Sequence, residues 1–219
     1  MDCTAILQHE LNIALICEGG VFVFFCHLPG IYDVCVSFLP GWRGCYAVDA
    51  ARQALEFMFL HTDCMTIMLR IPDDNKGSRI FARHLGAKVE FHRGGVWPVK
   101  DGRIGMTYAS IRYEDWALSN PGISEYGEIF LSRLFEERNR LGFGDVDQDQ
   151  DPENLRFIGA FAKTAYAGQL DKAVILYNRF AAFALLPFIS LVSRSPAMVE
   201  IGGTLIQIRD GSFKAILHR

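Results

Sequence analysis

Leu39-Pro40-Gly41-Trp42-Arg43-Gly44, followed by an alanine-rich stretch and then by Ile71-Pro72-Asp73-Asp74-Asn75, is the part of the chain whose reading decides the fold. After Gly44 the apolar period changes to three and four. Ala47, Ala50, Ala51, Ala54, Leu55, Met58 and Phe59 predict a helix with a small-residue face that can lie close on a sheet. Thr66 to Ile71 reads as a buried strand, and Asn75 to Leu85 as a helix closed by Gly86. A glycine loop at a helix N-terminus points unpaired N–H groups at whatever sits there, which favours a diphosphate. Two parallel strands that splay beside such a loop leave a slot for an extended, amide-bearing arm, and the Asn75 side chain is placed to satisfy one of its amides.

Outward from this stretch, Val21 to His27 and Ile31 to Phe38 read as a hairpin around Leu28-Pro29-Gly30. Both faces are largely apolar, so these strands belong in the middle of a sheet. Ile6, Leu7, Leu11, Ile13 and Ala14 predict a short helix over Thr4 to Ile16, capped by Thr4 and ended by Gly19-Gly20. On the other side, Lys88 to Phe91, Val96 to Val99 and Ile104 to Tyr113 read as strands, the last two joined by a turn over Lys100 to Arg103. From Asn120-Pro121-Gly122 the character shifts. An amphipathic helix is expected over Ile123 to Leu141, then an acidic linker over Gly142 to Asn154. Its alternating acids do not make an EF-hand: counted from Asp145, the sixth-position glycine and twelfth-position glutamate are missing. Helices over Glu153 to Tyr166 and Asp171 to Leu185, a strand over Ile189 to Val192 and a meander over Met198 to Leu217, with a turn at Arg209 to Ser212, complete the reading. The expectation is an α+β chain with a first domain over 1–119 and a second α+β module over 120–219.

The composition narrows the function. Half of the 219 residues are hydrophobic and 17 are Phe, which suits a folded chain. Formal net charge is −3 with no dense Lys/Arg block, so nothing points to nucleic acid or an anionic membrane. Cys3, Cys17, Cys26, Cys35, Cys45 and Cys64 form no C-x-x-C pair and match no His spacing, so no metal is expected. Met1-Asp2-Cys3 opens no signal-peptide pattern, which suits free thiols in a reducing cytoplasm. The longest apolar run, Phe180 to Ile189, holds Pro187 and falls well short of the roughly 20 residues of a membrane span. It reads as core or as a self-association contact.

The two motifs and the elements between them resemble the GNAT acetyltransferase superfamily, in particular its ribosomal-protein-type branch. Pro40, Arg43 and Gly44 match the "P-x-x-R-G" that opens the CoA-phosphate loop there. Asn75, Ser78, Leu85 and Gly86 fall at the intervals of the following motif. The similarity covers about residues 21 to 116 and ends on Tyr113-Glu114-Asp115-Trp116, which resembles the family's closing strand. It implies a GNAT-like mixed sheet flanked by helices, acetyl-CoA as co-substrate and a primary amine as acceptor. By the same resemblance Arg43, Gly44, Cys45, Tyr46, Ala47 and Asn75 would bind CoA.

Asp33, Cys35 and Ser37 share one face of the strand that leads into the loop, which makes Asp33, or Ser37 through water, the candidate for removing the ammonium proton. The sequence departs from the family at three points. Tyr46 stands where a second glycine or alanine is usual, or the loop is one residue shorter, and Ala82 stands where many members carry a tyrosine acid, which leaves Ser78 or water to assist the thiolate. The region before Arg43 has room for one helix and two strands where the family has more. These departures keep open a catalytically inactive GNAT-like structural or assembly protein, such as the virion or head-assembly components that bacteriophages encode, with protein partners and a place in the host cytoplasm or the virion. A sensor that binds CoA without turnover is a third reading.

Overall fold

The computed structural model describes residues 10–140, 152–181, 189–194, 197–201, 204–209 and 212–218, in two units that divide after Trp116. The first unit holds a six-stranded sheet: β1 (Ile13–Cys17), β2 (Gly20–Leu28), β3 (Ile31–Phe38), β4 (Thr66–Pro72), β5 (Lys88–Val99) and β6 (Gly102–Arg112), in the order β1-β2-β3-β4-β6-β5. The pair β3–β4 is parallel and the other four pairs are antiparallel. Helix α1 (Cys45–His61) makes the crossover between β3 and β4, as a parallel pair demands. Helix α2 (Lys76–His84) follows β4. The buried face of the sheet carries Phe22, Phe24, Ile67, Leu69 and Ile111, which share a small apolar void of about 20 Å³ with Ala51, Ala54 and Leu55 of α1 and with Phe81. Alanine at two of these contacts lets the α1 backbone come close to the strands, while Met58 and Phe59 are fully buried, each worth roughly 1.5–3 kcal/mol. The mixed α+β class, and the order of strand, glycine loop, helix and parallel strand that the resemblance implies, are both present.

Asp63 pins the start of β4 to the β2–β3 turn. Its carboxylate accepts from Gly30 N–H (2.9 Å) and from the Tyr32 hydroxyl (2.6 Å), and the Gly30 carbonyl accepts from the amides of Met65 and Thr66. Burial, the bond to Asp63 and the carboxylate's charge hold the Tyr32 phenol well above its usual range.

Several sequence expectations are corrected. Ile13 to Cys17 are strand β1 and not the end of a helix, and residues 4–9 of the expected helix lie outside the described residues. Gly19-Gly20 stops no helix: it sits at the β1–β2 hairpin turn, with Gly19 at φ +69°. A tight hairpin next to β2 pulls the β-branched Ile13 and Ile16 into the ladder, where tertiary pairing outweighs a short helical period. The region before Arg43 therefore supplies three strands. Lys88 to Phe91 and Val96 to Val99 are one strand, β5, interrupted by register shifts after Val89 and Arg93. Tyr113 to Trp116 is not a closing strand but the start of α3 (Tyr113–Ser119): Tyr113 and Trp116, three apart, both turn inward against Phe59, and Glu114 and Asp115 suit the positive end of a helix.

The second unit contains α4 (Ile123–Arg140), α5 (Pro152–Tyr166), α6 (Leu170–Ala181) and an antiparallel meander of β7 (Ile189–Arg194), β8 (Ala197–Ile201), β9 (Thr204–Arg209) and β10 (Ser212–His218). Helices α4 and α5 meet at two glycines. A Cβ on Gly127 would overlap the carbonyl of Leu155, and one on Gly159 would overlap the carbonyl of Ile123 and lie 3.0 Å from Gly127 N. Phe130, Phe157, Ile158 and Phe161 are buried around this crossing. Most of the acidic linker, residues 142–151, lies outside the described residues, as do residues 182–188 of the expected last helix and Asp210-Gly211 of the expected turn. Helix α5 begins one residue before its expected start, on Pro152, which suits a first helical position.

Candidate functional site

Parallel pairing of β3 and β4 stops early. Ile31, Tyr32 and Asp33 pair with Thr66, Ile67 and Met68, and beyond them Val34 to Phe38 and Leu69 to Pro72 have no register with each other. On its far side β4 stays paired to β6 along its whole length, and β3 stays paired to β2 up to Phe38. The two strands therefore part at their C-terminal ends, and a slot opens between them.

A cleft of about 770 Å³ lies at this opening. It is lined by Val36, Ser37 and Phe38 from β3, by Arg43 to Cys45 and Ala47 to Asp49 with Arg52 around the start of α1, and by Asn75 with Gly77, Ser78, Ile80, Phe81 and His84 around α2. Val36 and Ser37 are consecutive in a strand and so face opposite sides of the sheet. Both line the cleft, so the opening reaches round the free edge of β3.

The start of α1 is shaped for an anion. Gly44 is its N-cap, at φ +83° and ψ −136°, a conformation reserved for glycine, and no atom lies within 4 Å of where a Cβ would stand. No side chain caps this end, and no acidic residue occupies the first turn. The N–H groups of the first turn are thus left to a ligand or to solvent. Arg43 is tied back by its Nε to the Phe38 carbonyl (3.3 Å). Arg52, two turns into α1, makes an exposed pair with Asp49 (3.0 Å), so two guanidinium groups and one carboxylate line this part of the cleft.

Tyr46 does not block the opening. Its ring packs edge-on against Trp42 (centroids 4.8 Å apart) and Phe38 (6.3 Å), and it is absent from the cleft lining. Partial burial, with Cys17 and Glu18 close by, pushes the phenol above its usual range. Trp42 lies over Gly19, where no side chain would fit beneath the indole, and Phe38 lies over Gly20 in the same way. Leu39 N–H also donates to the Gly19 carbonyl (2.9 Å). An aromatic cluster on the β1–β2 turn therefore anchors the loop and leaves its backbone exposed to the cleft.

Of the residues singled out from sequence, Ser37, Arg43, Gly44, Cys45, Ala47, Asn75 and Ser78 meet in this one cleft, and Asp33 and Tyr46 do not line it. Asp33 sits at the last position of β3 that pairs with β4 and is held in an ion pair by Arg70 of β4. Asn75 caps α2: its Oδ1 accepts from Ser78 N–H (3.0 Å), which leaves its amide NH₂ as the group it can offer a ligand. Ala82 is buried in α2. Sequence reasoning missed Val48, Asp49 and Arg52, and it missed Gly77, Ile80, Phe81 and His84. Spacings of three and four within each helix carried that signal.

No family model matches the chain, and no match is found among curated proteins. The chain is similar to an acetyltransferase of the GNAT family from Bacillus anthracis (22% identity over 47% of this chain and 65% of that one, TM-score 0.41). It is also similar to the ribosomal-protein-S5-alanine acetyltransferase of Vibrio fischeri (17% identity, 44% and 55%, TM-score 0.40). A third similar structure is the spermidine N-acetyltransferase of Vibrio cholerae in complex with CoA and spermine (11% identity, 52% and 73%, TM-score 0.47). The chain spans less than two thirds of the length of the first two.

Proposed function

We propose that the first unit binds acetyl-CoA and transfers its acetyl group to a primary amine. The observation that carries this reading is the early end of the β3–β4 pairing beside an uncapped, glycine-started helix, with both features opening into one cleft. Arg43, Arg52 and the first-turn N–H groups of α1 would hold the diphosphate. The free edge of β3 beyond Asp33 would pair with the amide-bearing arm as a further strand does, and the Asn75 NH₂ would donate to one of its carbonyls. Bound acetyl-CoA supplies a thioester: the amine lone pair forms the new N–C bond, the C–S bond breaks with its electrons going to sulfur, and the proton that the amine gives up balances the departing thiolate. Ser37, at the cleft and on the face of β3 away from α1, would relay that proton through water, and Ser78 would donate a hydrogen bond to the thiolate. Asp33, already bound to Arg70, would act on the placement of Arg70 and not as the base.

Calorimetric titration with CoA tests the binding step. Wild-type protein should bind, and Arg43→Ala should bind about tenfold more weakly, the loss of one charge-assisted contact. Absence of heat and of any thermal shift at millimolar CoA would remove the reading. A second reading, a GNAT-like structural or assembly protein without turnover, is favoured by Ala82, which leaves α2 without a phenol at the leaving-group position. It predicts no acetylated product from any amine, even if CoA binds.

A further inference from the structure

On the side of the sheet away from α1, a single row of side chains runs across four strands from the point where β3 and β4 part. Asp33 of β3 is ion-paired to Arg70 of β4, Arg70 stands in register with Tyr108 of β6, and Tyr108 with Phe91 of β5. Residues directly opposite in an antiparallel pair share a face, and neighbouring strands lie about 4.8 Å apart, so the row is continuous. Phe91 and Tyr108 stack with centroids 4.4 Å apart and planes inclined by 15°, and Phe91 is 52% exposed. The row thus begins at a guanidinium beside the slot and ends in an exposed aromatic platform.

The charges on these strands decide what such a row accepts. The carboxylates of β3, β4, β5 and β6 are Asp33 and Glu90 alone. Asp33 is taken by Arg70, and Glu90 accepts from Ser110 (2.5 Å) and Arg112 (3.0 Å). No carboxylate of these strands is left to receive the second or third ammonium of a polyamine, because the one nearest the slot, Asp33, is already compensated by Arg70. A flat ring, in contrast, can continue the stack of Tyr108 and Phe91.

We propose that this row selects the acceptor of the transfer suggested above, on which the inference rests, and that it selects a primary amine bearing an aromatic group over an aliphatic polyamine. CoA would fill the slot from the α1 side, so the amine must approach from the side that bears Asp33, Arg70, Tyr108 and Phe91. Arg70 and Phe91 are the specificity-determining positions.

The test is calorimetric binding of phenylethylamine and of spermidine to the protein saturated with CoA, with product detection by mass spectrometry on acetyl-CoA as a second readout. Phenylethylamine should bind more tightly than spermidine. Phe91→Ala should weaken phenylethylamine about fivefold, the worth of one ring contact, while leaving the CoA affinity unchanged. Arg70→Gln should narrow the preference by improving spermidine. Spermidine binding as tightly as phenylethylamine, or Phe91→Ala weakening both amines alike or neither, overturns the inference while CoA binding stands. Failure of CoA itself to bind overturns the transferase reading and this inference with it.

Discussion

Replacing Gly19 by alanine tests whether the β1–β2 turn supports the loop at the start of α1. Two effects add. Gly19 is at φ +69°, where a side chain costs on the order of 1–3 kcal/mol. The new methyl would also stand within 2.6 Å of Cγ, Cδ1 and Cδ2 of Trp42, against a carbon–carbon contact distance of about 3.5–4.0 Å. The indole must retreat by about 1 Å or more, and such overpacking costs about 1–3 kcal/mol, nearer the lower end here because Trp42 is only half-buried. The reduced freedom of the unfolded chain returns roughly 0.4–1 kcal/mol. The net expectation is a loss of about 2 kcal/mol, read from urea or guanidinium denaturation. Gly86→Ala is the control, because Gly86 has nearly the same φ, +78°, with no atom within 4 Å of the added methyl. It should cost only about 1 kcal/mol. Because Trp42 adjoins Arg43 and Gly44, Gly19→Ala should also weaken CoA binding, about fivefold for a 1 kcal/mol disturbance of the loop. Equal destabilisation by the two substitutions would refute the argument that Trp42 rests on Gly19.

Asn75→Ala should remove the cap of α2 and cost about 1 kcal/mol in a denaturation experiment, whereas Asn75→Asp should keep the cap and lose the NH₂ donor, lowering CoA affinity without lowering stability. Tyr32 keeps its proton in the folded chain at pH values where the unfolded chain releases it, so its contribution is complete below the ordinary tyrosine range and falls as pH rises through and beyond it. Tyr32→Phe should flatten that alkaline slope and cost about 1 kcal/mol at neutral pH, seen in melting curves across the pH range. Gly159→Ala should destabilise the second unit by about 1–3 kcal/mol despite alanine's better helix propensity, because backbone atoms of α4 cannot yield as a side chain can; circular dichroism melts of the whole chain would show it.

Much of the first unit was legible because its signals are local. The three-and-four spacing from Ala47 to Phe59 marked α1, and Asn75 with Gly86 marked both ends of α2. Ser37, Arg43 and Ser78 were found as cleft residues for the same reason: each lies at the end of an element whose type its neighbours declare. The misses come from contacts distant in sequence. Ile13 and Ile16 become strand residues only because β2 folds back on them, and Tyr113 turns into α3 because Phe59, far away in the chain, offers a buried surface. Tyr46 stands where the resemblance expects a glycine or alanine, and nothing in its neighbourhood reveals that Trp42 and Phe38 draw the ring away. Asp33 carried the right chemistry for a base, but its partner Arg70 is set by the register of two strands and not by spacing along one.

Parting two neighbouring strands inside a sheet creates a seam that faces inward, unlike the outer borders formed by β1 and β5. Such a seam is out of reach for another folded molecule's β-sheet, because α1 and α2 crowd its helix side, but it admits a single slender chain with alternating hydrogen-bonding groups. The same geometry that gives a guest its grip thus guards the protein against self-templated stacking at this point, and a side chain large enough to close the gap would sacrifice both properties together.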